Sequence, residues 1–473
     1  MFASKARIAI DWVPRVNPPP QRSRKVIVVG AGLAGLSAAW ELSRAGYDVD
    51  ILEARTRAGG RVHTLHEGFA DHMYAESGAM SFPDTHRLVI HYAQQFDLPL
   101  QNYDMQLLAP VFQLGGQRIV VRFGAEIHWP VEMTDEERSL GLIGLQQKYL
   151  GPGIKQVGDP RQPGWPPESL RPLDQMTGAE YLVKQGASPG AVTVMEMSLL
   201  ELDGEGITSY SALWMLASQA VIQNFNQVFT VRGGNDLLPS AFADRMRERI
   251  QYGSPVVRIE SGDQGAAVFF LHRGERQMLE ADRVICALPY SVLRDVEISP
   301  ALSPGKQMVI QNQQNTSVTR VFVQSGRRFW EDQGLSGQAF TDQPIMSLES
   351  LYQRPSVRGI LTSYTTGETA RQLQAMGEQQ RLDWVVPQME NVFPGIAALA
   401  EGGTSKCWDE DIWSKGAYAW YKPGEVFSFW PHLATPEGRL HFAGDHTSVL
   451  AGWMEGALES AARVVREIQQ ADS

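Results

Sequence analysis

The chain contains 473 residues, of which 43% are hydrophobic, and its formal net charge is −11. This length predicts two or three domains, and the negative charge argues against a nucleic-acid-binding surface while suiting a soluble enzyme. The two cysteines, Cys286 and Cys407, are too few for a disulfide framework or a cysteine metal site, so both are expected to be reduced thiols.

The N-terminal residues 1–21 are predicted to form an arm. They lack an apolar core of signal-peptide length, and Pro18, Pro19 and Pro20 favour a stiff, extended approach to the first strand. No later stretch approaches the roughly 20 apolar residues that span a bilayer. We therefore expect a cytoplasmic protein with no membrane partner.

Residues 25–35 have the pattern of a buried strand followed by a phosphate-binding turn. Lys25–Val29 is almost wholly apolar, as expected of a strand covered on both faces of a parallel sheet. Gly30, Gly32 and Gly35 then give GxGxxG. These glycines allow a tight turn, close approach of backbone to a pyrophosphate, and packing of helix on strand.

A helix and a second strand complete this pattern. The helix is predicted to end at Gly46, and its positive N-terminal end favours a phosphate anion. The second strand, Asp48–Leu52, leads directly to Glu53, an acid at the distance where such folds bind ribose hydroxyls. The order of strand, turn, helix, strand and acid predicts a dinucleotide site. An ordinary glycine-rich turn would not be followed by a helix, a second strand and an acid in this order.

The segment EARTRAGGRVHT, which begins at Glu53, places cations and a glycine pair just beyond the expected ribose. It resembles the flavin amine oxidase superfamily, in which the GGR segment lies against the pyrophosphate and the flavin. The resemblance implies that the cofactor is FAD rather than a nicotinamide. The cofactor-binding residues that it implies in this part of the chain are Gly30, Gly32, Ala34, Gly35, Glu53, Ala54, Arg55, Gly60 and Arg61.

Residues 74–103 are where chains of this superfamily pass the flavin and enter the substrate domain. Here the resemblance implies cofactor contacts from Gly78, Ala79, Met80 and Ser81, in a stretch whose small residues allow close approach of the backbone. Asp84 is predicted to cap the helix that follows.

A hairpin and a helical insert are expected next. Residues 111–129 alternate around Gly115 and Gly116, which suggests a hairpin. Thr134 and Thr177 each begin a capping-box pattern. Residues 151–172 between them contain so much proline and glycine that we expect no regular structure there, and residues 209–224 are predicted to form a helix that carries Trp214.

The chain then returns to the cofactor twice. The resemblance implies a strand near Val256 that passes the adenine, and a strand in ADRVICALP that follows it. In the final stretch, residues 440–443 predict a strand, and a glycine-rich helix start follows a turn. The cofactor-binding residues implied there are Gly444, Asp445, Gly452, Trp453, Met454 and Ala457.

The fold implied by the resemblance is α/β and similar to monoamine oxidase. It combines a Rossmann-like FAD-binding domain, formed by residues 22–82, 228–304 and 431–473, with a mixed-sheet substrate domain and a helical insert. The substrate domain is assigned to residues 83–125 and 305–430, and the insert to residues 126–227.

The activity implied by the resemblance is oxidation of an amine by hydride transfer to the flavin, followed by imine hydrolysis and reoxidation by dioxygen to give hydrogen peroxide. Tyr418 in KGAYAWY and Trp453 in GWMEGA match the two aromatic walls that orient the substrate. Some relatives attach FAD through a cysteine directly before the first wall. Because this chain has Ala417 there, we expect dissociable FAD.

The substrate class depends on a carboxylate clamp. The segments GAYAW, GWMEGA and LTSYTTG resemble the L-amino-acid oxidase branch, in which a tyrosine at the position of Tyr364 binds the substrate carboxylate. That branch usually has an arginine where this chain has Ser81, and serine offers one neutral donor instead of a bidentate cation. Either another cation compensates or the substrate is a plain amine. Tyr364 and Trp214 suit an apolar or aromatic substrate.

Arg320 is a second departure from the superfamily, which commonly has a lysine there that reaches the flavin through water. A guanidinium does not act as a neutral base, but it supplies positive charge for reduction of dioxygen. The histidines, among them His63, His66 and His72, have no metal-binding spacing, so we expect no metal. His446 is expected to be structural.

These patterns lead to one preferred hypothesis and three alternatives. We expect an FAD-dependent L-amino-acid oxidase that releases a keto acid, ammonia and hydrogen peroxide. The alternatives are a primary-amine oxidase, which Ser81 favours, an oxidatively decarboxylating monooxygenase, and a non-catalytic flavoprotein. The expected partners are a small-molecule amino acid or amine and dioxygen, with a homo-oligomer left open.

Overall fold

A computed structural model describes residues 24–103, 108–122, 125, 127–222, 225–351 and 356–473. The predicted arm, residues 1–21, lies outside the described residues, as do positions 223 and 224 at the predicted end of the helix that carries Trp214. The helices are α1 (Leu33–Arg44), α2 (Arg87–Gln95), α3 (Asp135–Tyr149), α4 (Gly151–Val157), α5 (Arg171–Asp174), α6 (Gly178–Lys184), α7 (Pro189–Asp203), α8 (Ala212–Ile222), α9 (Leu237–Arg245), α10 (Tyr290–Leu293), α11 (Pro304–Asn312), α12 (Phe329–Asp332), α13 (Gly367–Gln374), α14 (Glu378–Val392), α15 (Ile396–Leu399), α16 (Glu425–Leu433) and α17 (Met454–Asp472).

The strands alternate with these helices along the chain, and short 3-10 turns occur at Glu168–Leu170, Arg247–Arg249 and Asp445–Thr447. The strands are β1 (Lys25–Val29), β2 (Asp48–Leu52), β3 (Thr64–Leu65), β4 (Ala75–Glu76), β5 (Phe82–Pro83), β6 (Leu100–Asn102), β7 (Ala109–Leu114), β8 (Gln117–Val120), β9 (Val228–Val231), β10 (Ile250–Gln251), β11 (Val256–Ser261), β12 (Ala266–His272), β13 (Glu275–Ala281), β14 (Arg283–Cys286), β15 (Glu297–Ser299), β16 (Gln314–Asn315), β17 (Val318–Ser325), β18 (Leu335–Thr341), β19 (Ser347–Leu351), β20 (Gly359–Thr366), β21 (Ala400–Cys407), β22 (Ala419–Trp420) and β23 (Leu440–Phe442).

A five-stranded parallel sheet forms the first half of the molecule, in the order β10-β2-β1-β14-β23. Val29 of β1 pairs with Leu52 of β2 and with Cys286 of β14, so three distant stretches of the chain meet at one sheet. The helices α1 and α17 pack together over this sheet in one hydrophobic core. The predicted strands β1 and β2 are confirmed, and so is the helix end at Gly46, whose φ is +87°.

A seven-stranded mixed sheet forms the second half, in the order β21-β17-β20-β19-β18-β7-β8. One face carries Val321, Leu348 and Leu361, which pack with Val385 and Met389 of α14 in a separate core. Side chains alternate between the faces of a strand. The neighbouring residues of β17, β19 and β20 therefore face the opposite way, toward the first half of the molecule.

The helical insert is formed by α3 to α8, and the hairpin predicted before it is confirmed as β7 and β8, which pair antiparallel around Gly115 and Gly116. The capping boxes at Thr134 and Thr177 are also confirmed. Each threonine side chain accepts a hydrogen bond from the backbone N–H three residues later, and the glutamate there bonds back to the threonine N–H. Two helix starts were thus readable from the sequence.

The expectation that residues 151–172 lack regular structure was wrong in part. The α4 helix covers Gly151–Val157, and α5 begins at Arg171. Pro152 occupies the first turn of α4, where proline is tolerated because the N–H that it lacks has no partner within the helix. Gly158, with φ of +67°, follows the last residue of α4. Pro152 and Gly158 therefore mark the two ends of α4, whereas residues 159–167 contain no helix or strand.

The prediction that Asp84 caps a helix was also wrong. α2 begins at Arg87 without a side-chain cap from its own N-terminal segment, and the Asp84 carboxylate instead accepts the backbone N–H of Asn226. The first-turn N–H groups of Leu88 and Val89 donate to the two carboxylate oxygens of Glu455, each at 2.9 Å. A residue 367 positions away supplies the cap, and local sequence patterns do not reveal it.

Within the described parts of the chain, no helix combines the length and the apolar character that crossing a membrane requires.

Candidate active site

A long cavity runs from the glycine turn after β1 to the face of the seven-stranded sheet that carries Arg320 and Tyr364. Almost all residues that the sequence singled out line it, from both the cofactor and the catalytic groups. They are Gly30, Gly32, Ala34, Glu53, Ala54, Arg55, Gly60, Arg61, Gly78, Ala79, Met80, Ser81, Arg320, Tyr364, Tyr418, Gly444, Asp445, Gly452, Trp453, Met454 and Ala457. We call the part near Glu53 the cofactor end, and the part near Tyr364, Tyr418 and Trp453 the substrate end.

Gly35, Val256 and Trp214 are not among the lining residues. A Cβ atom on Gly35 would lie 2.0 Å from the carbonyl oxygen of Gly30, so this glycine allows α1 to pack against its own turn. Val256 is the first residue of β11, in a separate four-stranded sheet. The ring of Trp214 packs 4.3 Å from that of Tyr421 and lines a smaller cavity behind Tyr418 and Trp453.

Glu53 is buried, with 4% of its surface exposed, where the second strand ends. One carboxylate oxygen accepts the N–H of Ala31 at 2.7 Å, and the other accepts the N–H of Arg55 at 2.8 Å. Burial raises the pKa of Glu53, and the two backbone N–H groups oppose that shift. Because each oxygen has a second lone pair, the carboxylate retains acceptors for ribose hydroxyls.

Arg55 is held by residues that the sequence did not identify. Its Nη2 atom donates to Asp411 Oδ1 at 2.6 Å and to Ser414 Oγ at 2.8 Å. These bonds join the loop after β2 to the loop after β21, and Ser414 itself lines the cavity. The cation is therefore fixed in place, rather than part of a solvated basic loop.

Arg61 and Asp445 join the glycine segment after β2 to the last return of the chain. Arg61 Nη2 donates to Asp445 Oδ1 at 2.6 Å, and Arg61 Nη1 donates to the carbonyl oxygen of Ala417. The other oxygen of Asp445 accepts the N–H of Gly452 at 2.8 Å. One salt bridge thus positions both the turn before α17 and the segment that carries Tyr418.

The cofactor end has the form of a dinucleotide cradle. The N-terminal residues of α1 and α17 line it, and the N–H groups and positive dipole ends of helices favour phosphate and other electron-rich groups. A Cβ atom on Gly32 would have no atom within 4 Å, so open space adjoins the first turn of α1. A Cβ atom on Gly78 would lie 1.8 Å from the carbonyl oxygen of Arg61, so only glycine allows these two segments to meet. These residues fit a bound dinucleotide.

The two predicted aromatic walls lie at the substrate end. The Tyr418 ring packs on Gly452, where a Cβ atom would lie 3.1 Å from the ring. Trp453 stands perpendicular to the ring of the buried His86, with centroids 4.9 Å apart. The hydroxyl groups of Tyr418 and Tyr364 are 3.1 Å apart, within hydrogen-bond distance.

Arg320 lies beside this aromatic group. Its guanidinium carbon is 4.6 Å from the centroid of the Tyr364 ring, and Nη1 donates to the carbonyl oxygen of Glu76 at 2.8 Å. The side chain is buried, with 7% exposed. A cation is thereby fixed over the ring of the tyrosine whose hydroxyl was predicted to bind a carboxylate.

Glu349 and Trp408 also line the cavity, and sequence reasoning missed both. Trp408 Nε1 donates to the carbonyl oxygen of Ser77 at 2.7 Å, which holds the cavity wall together. Glu349 lies in β19, two residues after Ser347. Because side chains alternate between the faces of a strand, Ser347 and Glu349 share one face of the sheet. The sequence SLESL does not indicate what that face covers.

The histidines take structural positions. His63 Nδ1 lies 2.9 Å from Ser77 Oγ, and burial lowers the His63 pKa to about 4. His446 is buried edge to face against Tyr290, and burial lowers its pKa to about 3. Across the described ranges, there is no group of three or more His, Cys, Asp or Glu side chains that could hold a metal ion.

Comparison with known proteins identifies the class of protein to which this cavity belongs. The sequence model of the flavin-containing amine oxidoreductase family matches residues 33–469. The chain therefore belongs to the flavin-containing amine oxidoreductases, and the family implies that its cofactor is a flavin.

Two individual relatives are similar to this chain over almost its whole length. The chain is 28% identical to YobN of Bacillus subtilis (strain 168) over 463 residues, which cover 95% of each chain. It is also 28% identical to the L-amino-acid oxidase of Demansia vestigiata, over 95% of this chain and 87% of that one.

Among solved structures, cyclohexylamine oxidase from Brevibacterium oxydans matches with a TM-score of 0.84 at 21% identity, over 95% of this chain and 99% of that one. Putrescine oxidase bound to putrescine matches with a TM-score of 0.83 at 22% identity, over the same shares. These likenesses confirm the α/β fold of the amine oxidases.

Proposed function

We propose that this protein is an FAD-dependent L-amino-acid oxidase. The substrate α-carbon is oxidised, and the resulting imine is hydrolysed to a keto acid and ammonia. When bound, the flavin accepts the hydride from the α-carbon and passes two electrons to dioxygen, which gives hydrogen peroxide. The resemblance of the substrate end to the L-amino-acid oxidase branch and the relatives of that name support this choice.

The observation that carries the proposal is the arrangement of Tyr364, Tyr418 and Arg320. A substrate carboxylate next to the Tyr364 hydroxyl would accept a hydrogen bond from it, and the Arg320 guanidinium over the same ring supplies positive charge. In this proposal, Arg320 supplies the positive charge that is missing at position 81, where the chain has serine instead of the arginine of the resembled branch. A plain amine has no group that makes use of this cation.

The chain's own residues position the substrate and protect it from water. Tyr418 and Trp453 provide the two aromatic faces between which an amine can be guided. His86 behind Trp453 is neutral, because burial lowers its pKa to about 3, so it adds no charge that would repel an ammonium group. The apolar and aromatic lining favours the neutral amine, which is the form that reacts.

A primary-amine oxidase is the second candidate, and Ser81 favours it. Ser81 lines the cavity at the position where the resembled branch has an arginine, and it offers a single neutral hydroxyl. If Arg320 serves only to hold the Glu76 carbonyl and to promote dioxygen reduction, no carboxylate clamp remains.

Anaerobic reduction of the bound flavin separates these candidates. Matched pairs of an L-amino acid and its decarboxylated amine are used, such as L-phenylalanine with phenethylamine and L-norleucine with pentylamine. The proposal expects rapid bleaching of the yellow absorbance by amino acids and slow bleaching by the amines. The opposite order would establish the amine oxidase, and an amide product from the amino acid in air would establish the monooxygenase. No bleaching by any member would support a non-catalytic flavoprotein.

The non-covalent state of FAD is part of the proposal. Ala417 precedes Tyr418, and burial raises the pKa of Cys407, which keeps that thiol a weak nucleophile. Acid precipitation should release all of the yellow chromophore as FAD, and colour that stays with the denatured chain would contradict this. A cytoplasmic location and a homo-oligomer remain predictions.

A further inference from the structure

A second cavity lies against a different face of α17 from the cavity of the candidate active site. Its volume is about 770 Å³, within the range of roughly 300–1,000 Å³ that is typical of small-molecule sites. Glu455, Glu459 and Arg466 line it at the spacing of one helical face, whereas Met454 and Ala457 of the same helix line the long cavity. Among the described residues, the two linings have no member in common. We call this second space the α17 cavity, and a ligand bound there does not occupy the substrate end.

Part of the α17 cavity is apolar. The ring of Trp165 meets that of Trp430 edge to face, with the two centroids 4.6 Å apart. Leu433 and Ala434 follow Trp430 at the end of α16, and Val449 adds a further aliphatic side chain. Indole rings bury a large apolar area and attract other planar rings in edge-to-face or offset arrangements. This part of the lining therefore suits an aromatic or aliphatic body.

The charged residues of this lining are four arginines and two glutamates, and most of them already have partners. Glu459 pairs with Arg161 at 3.0 Å, and Arg463 pairs with Glu467 at 2.6 Å. Both carboxylate oxygens of Glu455 accept backbone N–H groups of α2. Burial raises the pKa of Glu455 to about 8, so this group adds little negative charge at neutral pH. The lining therefore has an excess of positive charge.

Arg87 and Arg466 supply that excess. Both are exposed, and neither forms a hydrogen bond or an ion pair with a residue in the part of the chain that the structure describes. Arg466 lies three residues after Arg463, whose Nη1 donates to the carbonyl oxygen of Ala434 at 3.2 Å, beside the end of α16. Because helical side chains lean toward the N-terminus of their helix, we expect the Arg466 guanidinium over that turn. A planar guanidinium binds a carboxylate through two parallel N–H bonds.

We propose that the α17 cavity binds a small aromatic carboxylate. The carboxylate pairs with Arg466, and the ring packs against Trp165 and Trp430. Arg87 adds a second positive charge, which favours anions over neutral ligands. The expected ligand is an aromatic keto acid, and this identity rests on the proposed function, which releases such a product. The enzyme then holds its product at a site separate from the substrate end.

Isothermal titration calorimetry of the FAD-loaded enzyme tests this assignment with three probes. Phenylpyruvate has both the ring and the carboxylate, pyruvate lacks the ring, and 3-phenylpropanamide lacks the charge. Phenylpyruvate should bind about 10-fold more tightly than either of the others, because each of them loses one of the two interactions. Equal binding of phenylpyruvate and 3-phenylpropanamide would overturn the role of the arginines.

Arginine variants separate the α17 cavity from the substrate end. Arg466→Met should weaken phenylpyruvate binding by about 10-fold, and Arg466→Lys should keep part of the affinity. Arg320→Met removes the cation of the substrate end and should leave the Arg466-dependent binding unchanged. Arg276→Met removes an exposed arginine of β13, in a separate sheet, and is the matched control. Because Arg466 is exposed, its replacement should leave the fold intact.

The outcomes keep the second site and the proposed function apart. Phenylpyruvate binding that Arg320→Met abolishes and Arg466→Met leaves unchanged would overturn the α17 site and assign this ligand to the substrate end. No phenylpyruvate binding to the unaltered enzyme would also overturn the α17 site, and flavin reduction by L-phenylalanine would still support the oxidase. Arg466-dependent binding to an enzyme whose flavin no amino acid reduces would support a carboxylate site and overturn the keto-acid product as its ligand.

Discussion

The two ends of the cavity are built in different ways. The cofactor end depends on glycines, backbone N–H groups and helix N-termini, and the segments that supply it are continuous sequence motifs. The substrate end depends on single side chains from β17, β19 and β20, together with Tyr418 and Trp453 from two other segments. Under the proposed function, recognition of the cofactor would rest mainly on backbone geometry, whereas recognition of the substrate would rest on a few charged and hydroxyl groups.

This contrast predicts how substitutions act. At the cofactor end, adding a methyl group disturbs backbone packing or obstructs the ligand. At the substrate end, removing one functional group changes which molecule reacts but leaves the fold in place.

The largest effect is expected from a pair of glycine substitutions at the cofactor end. Gly35→Ala places a Cβ atom 2.0 Å from the Gly30 carbonyl oxygen, so the helix or the turn must shift. Urea unfolding of the flavin-free protein should show a loss of about 3 kcal/mol, at the upper end of overpacking costs. Gly32→Ala meets no atom within 4 Å, so it should leave that unfolding free energy unchanged.

Binding separates the same two variants. Because Gly32 adjoins the open space where a pyrophosphate would lie, Gly32→Ala should weaken FAD binding by about 10-fold in a fluorescence titration. Equal effects of the two substitutions on stability would contradict the different roles assigned to these glycines.

The next largest effect is expected at Arg320. Arg320→Met removes the cation beside Tyr364 and should lower the rate of flavin reduction per substrate concentration for L-amino acids by about 30-fold, or about 2 kcal/mol. Arg320→Lys restores a positive charge and should recover part of the loss. The matched amines lack a carboxylate, so their flavin reduction should change little. An equal loss for both compound classes would instead assign Arg320 to a general structural role.

A smaller effect is expected for Tyr364→Phe, which removes one hydroxyl and keeps the ring. The KM for the L-amino acid should rise by about 10-fold, because one hydrogen bond to a charged carboxylate is lost. The KM for the decarboxylated amine should stay nearly constant in the same steady-state peroxide assay. Parallel changes would argue against a carboxylate at Tyr364.

A pH-dependent effect is expected at His446, in the turn that follows β23. Burial lowers the pKa of His446 to about 3, whereas an unfolded histidine titrates near about 6.5. The unfolded chain therefore takes up the proton first, and the stability contributed by the neutral ring is complete above about pH 6.5 and is lost as the pH falls toward about 3. The loss approaches about 1.4 kcal/mol per pH unit.

Replacement of this ring removes the titration. His446→Phe should flatten the decrease in unfolding free energy between about pH 6.5 and 5, measured by urea denaturation. His72→Asn, at an exposed position, should keep the pH dependence of the unaltered protein. A slope that His446→Phe leaves unchanged would show that other groups cause the loss.

The cofactor end was largely predictable because its signals are local. Lys25–Val29, the glycine turn and Asp48–Leu52 were found because one short segment contains the whole motif, and the Thr134 and Thr177 caps lie within three residues of their partners. The substrate end was predicted only where the resemblance supplied positions, as for Tyr364 and Tyr418.

The caps, ion pairs and cavity residues that could not be predicted from the sequence all depend on contacts between distant residues. The Glu455 cap of α2 joins residues 367 positions apart, and the Arg55 bond to Asp411 joins residues 356 apart. The place of Glu349 in the cavity follows from the register of β19 against β20, which the sequence SLESL does not provide. The glycine and proline content of residues 151–172 was misread because the same residue types begin and end helices as well as interrupt them.

The salt bridge between Arg61 and Asp445 also bears on how the protein is made. Its partners are 384 positions apart, and the residues that it positions, Gly452 and the carbonyl of Ala417, belong to the last part of the sequence. During synthesis, the phosphate-binding turn leaves the ribosome early, but the other wall of its cradle emerges only after the whole substrate sheet. The complete cradle therefore forms only when the end of the chain has been made, and a chain that stops before Asp445 lacks one of its walls.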